Sequence, residues 1–267
     1  MKKIFSILSI AILFVFFSAC SDDEVGSSGS TLVLEFDNVV GTSNLVLNTT
    51  DQPYTNDHEE AFNVTWLTYY VSNIKLKRED GTIYEDAVKS DGSAGYYLID
   101  EADVESREIT LKNIPAGNYT EVTFTIGVDA SQVDQGAQTG ALDPAKGLFW
   151  TWNSGYIFMA IQGTSPACAE EGNEFAYHVG GYKEDPENDN LINNIKTFTL
   201  SFKGDSAPVK ASHEPQVHII FDVLKFFKGT GANISFASNA QRHTPKACED
   251  IAGNIEGAFV VDHIHAD

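Results

Sequence analysis

Positive charge is scarce in this sequence. Lysine and arginine number 17 against 38 aspartates and glutamates, a net charge of −21 over 267 residues. A nucleic-acid partner is excluded on that ground, because phosphate binding needs Lys and Arg. Cysteine is also scarce, with three in all. No CxxC or clustered spacing suggests a thiolate metal site. Long hydrophobic runs are absent except for residues 4–17, which fall short of the roughly 20 residues that cross a membrane as a helix. There is no Walker loop, dinucleotide fingerprint, GxSxG, HExxH or EF-hand loop. Carboxylates are abundant, but nothing singles out a glycosidase pair. A hydrolase therefore has no motif support.

What is present begins with a targeting segment. Lys2 and Lys3 precede the apolar run, and Ser18-Ala19-Cys20 follows it. This pattern reads as a bacterial lipoprotein signal over residues 1–19, with Cys20 lipidated as the first mature residue. Ser21-Asp22-Asp23-Glu24 resembles the acidic export signal of Bacteroidetes surface lipoproteins. The expected location is the outer membrane, on its periplasmic or cell-surface face, with residues 20–30 as a flexible linker. Cys168 and Cys248 then remain as an even pair in an exported protein, which reads as a disulfide. Closing a loop of that size would stabilise by roughly 4 kcal/mol in the chain-entropy model.

Residues 31–267 read as one all-β domain. Leu32, Leu34 and Phe36 alternate, as in a first strand. Phe62, Val64 and Trp66 begin a long strand that runs to Lys77, with a candidate bulge at Ser72-Asn73. Asp80-Gly81 signals a hairpin. Further strands are expected over 96–100, 107–111, 119–128, 156–162, 175–181, 195–203, 216–224 and 258–265. Residues 129–146 read as a loop or a short helical excursion. Short strands, regular turn residues and no sustained helical period indicate an antiparallel β-sandwich of Ig-like, Greek-key-like type, with long loops.

Seven histidines carry the chemistry that can be located. His263 and His265 share a face of the last strand and could take one metal ion together. His218 points away from Val217 and Ile219. His178 lies in an apolar strand beside Gly180-Gly181, where a hydrogen-bonded core histidine is the plain alternative. His58, His213 and His243 fall in polar loops and read as solvated. Trp150 and Trp152, two apart, share one face of a strand.

An ordered set of segments resembles the MbnP-like copper-binding proteins. The main one is Phe149-Trp150-Thr151-Trp152-Asn153-Ser154-Gly155-Tyr156-Ile157-Phe158. Tyr69-Tyr70-Val71-Ser72-Asn73-Ile74, Ile114-Pro115-Ala116-Gly117, Phe124-Thr125-Ile126-Gly127-Val128-Asp129, Gly140-Ala141-Leu142-Asp143-Pro144 and Phe175-Ala176-Tyr177-His178-Val179-Gly180 agree in order. The resemblance covers roughly residues 32–224. It implies a non-enzymatic copper protein that is itself the substrate of an MbnH-like di-haem partner of the cytochrome c peroxidase type. In such a pair a tryptophan is oxidised to kynurenine, and the product helps to bind one copper ion. An intact indole offers an N–H and no free lone pair, whereas the aryl amine of the opened ring has one. With imidazoles it makes a nitrogen-rich copper site. The resemblance implies Trp150 or Trp152 as the modified residue, Trp150 preferred, and His178 as a ligand. His218, His263 and His265 are second-rank ligands. The alternative function is a glycan-binding or adhesive surface lipoprotein that stacks sugars on Trp150, Trp152 and nearby tyrosines.

Overall fold

The computed structural model describes residues 30–151, 154–188, 190–211 and 213–266. The expected signal segment, the lipidated Cys20, the linker up to residue 29 and Trp152 lie outside the described residues. No helix among the described residues is long and apolar enough to cross a membrane.

The fold is all-β, built from two sheets. In chain order the strands are β1 (Ser30–Val40), β2 (Ser43–Asn44), β3 (Tyr54–Thr55), β4 (Ala61–Arg78), β5 (Ile83–Glu85), β6 (Tyr96–Asp100), β7 (Glu108–Ile114) and β8 (Gly117–Ile126). Then come β9 (Phe149–Thr151), β10 (Gly155–Thr164), β11 (Glu174–Gly180), β12 (Lys196–Ser201), β13 (Ala207–Val209), β14 (Gln216–Asp222), β15 (Gln241–Arg242) and β16 (Phe259–His265). The smaller sheet runs β16-β14-β1-β2, with β7 also on β1. The larger runs β12-β8-β4-β10-β11-β15, and the remaining short strands attach to its members.

The inner faces meet through aromatic rings. Phe36 of the smaller sheet packs edge-on against Tyr69 and Phe124 of the larger, with centroids 6.1 and 5.7 Å apart. Phe259 sits 5.5 Å from Phe198, and Phe221 5.4 Å from Tyr69. Each such buried ring contributes on the order of 2–3 kcal/mol of transfer free energy. The alternation in β1 and β14 follows from this: Leu34, Phe36, Val217, Ile219 and Phe221 are buried, while Glu35, Asp37 and His218 face outward.

Two features depart from the sequence reading. The sheets are not wholly antiparallel: β1 pairs parallel with β14, and β11 with β15. Cys168 and Cys248 are free thiols, both buried, and no disulfide joins them. Cys168 lies in the turn after β10, where its carbonyl accepts a bond from Asn173 Nδ2 at 2.8 Å. The Cys248 thiol points instead at the carbonyl of His178, 3.2 Å away. Burial raises both thiol pKa values, that of Cys248 to about 12.

The bulge expected at Ser72-Asn73 is present. The β4–β8 register shifts between Ser72 and Lys75, and Asn73 takes φ of 53°, a left-handed value that Asn tolerates. A second bulge was not legible. Gln162 of β10 lies opposite Trp66, but its neighbour Gly163 lies opposite Val64, so Thr65 is the extra residue. Glycine permits the close approach, since a Cβ at position 163 would sit 2.0 Å from the Asn63 carbonyl. Phe62, Val64 and Leu67 therefore point inward, and Trp66 is turned to the outer face.

Candidate metal centre

Antiparallel pairing of β10 with β4 and β11 sets Trp66 and Ala176 opposite Gln162, and His178 opposite Ala160. The parallel partner β15 sets Gln241 beside Ala176. Side-chain alternation then puts Trp66, Gln162, His178 and Gln241 on one outer face. His243, just past β15, joins them. Its Nδ1 lies 3.1 Å from His178 Nδ1, and the two rings are 4.6 Å apart. The other His178 nitrogen, Nε2, is 2.8 Å from Gln162 Nε2, and His243 Nε2 is 2.6 Å from Gln241 Oε1.

These contacts define one consistent proton arrangement. The Gln162 amide donates to His178 Nε2, His178 Nδ1–H donates to His243 Nδ1, and His243 Nε2–H donates to Gln241 Oε1. A metal ion could replace the shared proton between the two Nδ1 atoms. It would need only that Gln162 turn its carbonyl oxygen toward a protonated His178 Nε2. Burial, and then the neighbouring His243, lower the His178 pKa to about 4. At neutral pH its ring is uncharged and able to be a ligand. A depression of about 280 Å³, lined by Gln162, Gly163, Gln241 and His243 among others, opens the cluster to solvent.

Of the described tryptophans, Trp66 meets the His178 ring edge-to-face at 6.1 Å. Trp150, the preferred residue of the sequence reading, lays its six-membered ring over Gly180, two residues along the same face. A Cβ at position 180 would come within 2.6 Å of Trp150 Cζ3. Both indoles are half-buried.

The chain belongs to the MbnP family. The family model described as MbnP matches residues 29–249. Among solved structures, MbnP from Methylosinus trichosporium is similar to this chain with a TM-score of 0.55 at 15% identity, covering 83% of this chain and 86% of that one. At that identity the likeness concerns the fold. No curated protein matches in sequence.

In this MbnP-family chain the predicted ligands separate into two groups. His178 lies on the outer face of the larger sheet. His218, His263 and His265 lie on the outer face of the smaller one, on β14 and β16. They are not brought together with His178. The residues missing from the sequence reading are Trp66, His243, Gln162 and Gln241. The bulge at Thr65 hid the orientation of Trp66. His243 carried one usable signal, its place after a short alternating segment, Gln241-Arg242-His243, that can edge a sheet.

Proposed function

We propose that this protein is an exported, non-enzymatic copper-binding member of the MbnP family, with His178 and His243 as the nitrogen ligands of its primary site. One observation carries the reading: two imidazoles face each other Nδ1 to Nδ1 at 3.1 Å. With metal–nitrogen bonds of about 2.0 Å, two nitrogens on one ion lie roughly 3.3 Å apart. Imidazole donors without thiolate suit copper. Gln162 and Gln241 hold the outer nitrogens and so set which ring nitrogen faces the ion.

The family resemblance adds oxidation of a tryptophan by a di-haem partner. The step adds two oxygen atoms across the indole C2–C3 bond, a four-electron oxidation that consumes two equivalents of a peroxide-class oxidant and releases two waters, and hydrolysis then releases formate. The residue gains one oxygen and loses one carbon. The aryl amine left behind would add a third nitrogen near the two imidazoles. Ring contact with His178 favours Trp66 for this role, and the sequence resemblance favours Trp150. The anchor at Cys20 would hold the domain at the outer membrane, within reach of such an enzyme.

The test is copper titration of the purified full-length protein in a His263→Ala/His265→Ala background, which removes the other histidine cluster, with and without His178→Ala/His243→Ala. One tight equivalent that disappears in the double variant supports the site. An unchanged equivalent overturns it. Peptide mass spectrometry of protein from a host that carries the di-haem partner then reports which tryptophan, if any, is opened.

A further inference from the structure

His218 on β14 is held between the two acidic residues that face outward from β1. Its Nδ1 is 2.9 Å from Asp37 Oδ2, and its Nε2 is 3.3 Å from Glu35 Oε2. The bond to Asp37 fixes the proton on Nδ1 and leaves the Nε2 lone pair facing the site. That nitrogen is buried and has no hydrogen-bond partner. A bare lone pair beside a carboxylate oxygen is unfavourable, and either a proton on Nε2 or a metal ion between the two relieves it.

β16 supplies two more imidazoles. The antiparallel register shifts between Val217 and Ile219, which brings both His263 and His265 against His218. His263 stacks on His218 at 4.2 Å, and the His265 ring lies 5.0 Å from it. His263 Nδ1 is 2.8 Å from Asp262 Oδ2, a second carboxylate-held imidazole. Its Nε2 is 3.2 Å from His265 Nε2. One ligand atom from each of the three histidines can be chosen so that all lie within 4.8 Å of one another.

We propose that His218, His263 and His265 form a second metal site, distinct from the His178 centre, that takes a divalent ion of the zinc class. In a tetrahedral site with bonds of about 2.0 Å, neighbouring ligand atoms lie about 3.3 Å apart. The His263 Nε2–His265 Nε2 separation of 3.2 Å matches that edge. Three imidazoles suit zinc, and also divalent copper, better than the oxygen-seeking ions. Asp37 and Asp262 orient the rings without binding the ion. The site also ties β16, the last strand, to β14 and β1 of its sheet. β16 begins at Phe259, beyond residue 249 where the family match ends.

The test is cobalt(II) titration of the full-length protein in detergent, in a His178→Ala/His243→Ala background that removes the first site. Cobalt reports tetrahedral nitrogen coordination through its intense visible absorption. One equivalent with that spectrum is expected, displaced by zinc. Adding His263→Ala and His265→Ala should abolish it. Both side chains are exposed, so circular dichroism should show the fold unchanged. His218→Gln should abolish it as well. No tetrahedral cobalt spectrum in the parent, or the same spectrum after the β16 substitutions, would overturn the proposal. Because the first site is absent throughout, neither result depends on copper binding at His178.

Discussion

His178 makes the stability of the metal-free protein pH-dependent in a defined window. Its pKa is 6.5 in an unconstrained chain and about 4 in the fold, chiefly because burial penalises the charged ring. Above 6.5 the ring is neutral in both states. Between 6.5 and about 4 the unfolded chain binds a proton that the folded chain does not, so stability falls as pH drops through this range. Each pH unit between the two values is worth about 1.4 kcal/mol, which sets a ceiling of about 3 kcal/mol. The ring is partly exposed, and screening reduces the expected contribution to about 1–2 kcal/mol. The perturbation is His178→Gln, which stays neutral at every pH and keeps a hydrogen-bonding amide beside Gln162. Urea unfolding of both proteins at intervals from pH 7.5 to 4, read by circular dichroism, separates this contribution from that of the carboxylates that titrate in the same range. The wild-type curve should fall more steeply than the variant curve by that amount. Parallel curves would refute the buried, neutral imidazole.

Three other outcomes follow from the same packing. Gly180→Ala should destabilise by about 1–3 kcal/mol, because the new methyl meets both the Trp150 ring and the Tyr156 carbonyl at 2.6 Å; unchanged urea midpoints would contradict the Trp150 placement. Glu60 accepts bonds from Asn56 Nδ2, Ser235 Oγ and the Phe236 amide, each at 2.7 Å, and from the Ala237 amide at 3.1 Å. Glu60→Ala should cost about 2 kcal/mol in urea unfolding at pH 7. The bonds hold its carboxyl below the ordinary value of 4.5, so its contribution is present above 4.5 and fades as pH falls through the lower folded value. Finally, Cys168 and Cys248 should both react with a thiol reagent in denaturant and resist it in the fold, as 3% and 0% exposure require; a mass short by two hydrogens with no reactive thiols would show a disulfide instead.

Strand existence was legible wherever one face is wet and the other dry. The alternation of Leu32, Leu34 and Phe36, or of Val217, Ile219 and Phe221, identifies both the element and its buried face. The same alternation set His218 outward and put His263 and His265 on one face. What local pattern cannot carry is which distant strands pair. The parallel union of β1 with β14 joins segments at opposite ends of the domain, and it alone brings Glu35 and Asp37 to His218. The bulge at Thr65 reverses facing in the middle of β4, so the run Phe62, Val64, Trp66 does not by itself show that Trp66 faces outward. His243 belongs to the site only because the two-residue strand β15 finds the edge of β11. The paired cysteines misled for a related reason. Even number and export context suggest a bond, but one thiol sits under His178 and the other in the turn after β10.

The most direct measurement of the primary site is anomalous diffraction at the copper edge from crystals of the His263→Ala/His265→Ala variant carrying one equivalent of copper. A single strong peak is expected between the Nδ1 atoms of His178 and His243, beside Trp66. A peak found only elsewhere, with those two nitrogens still hydrogen-bonded to each other, would contradict copper binding by this pair.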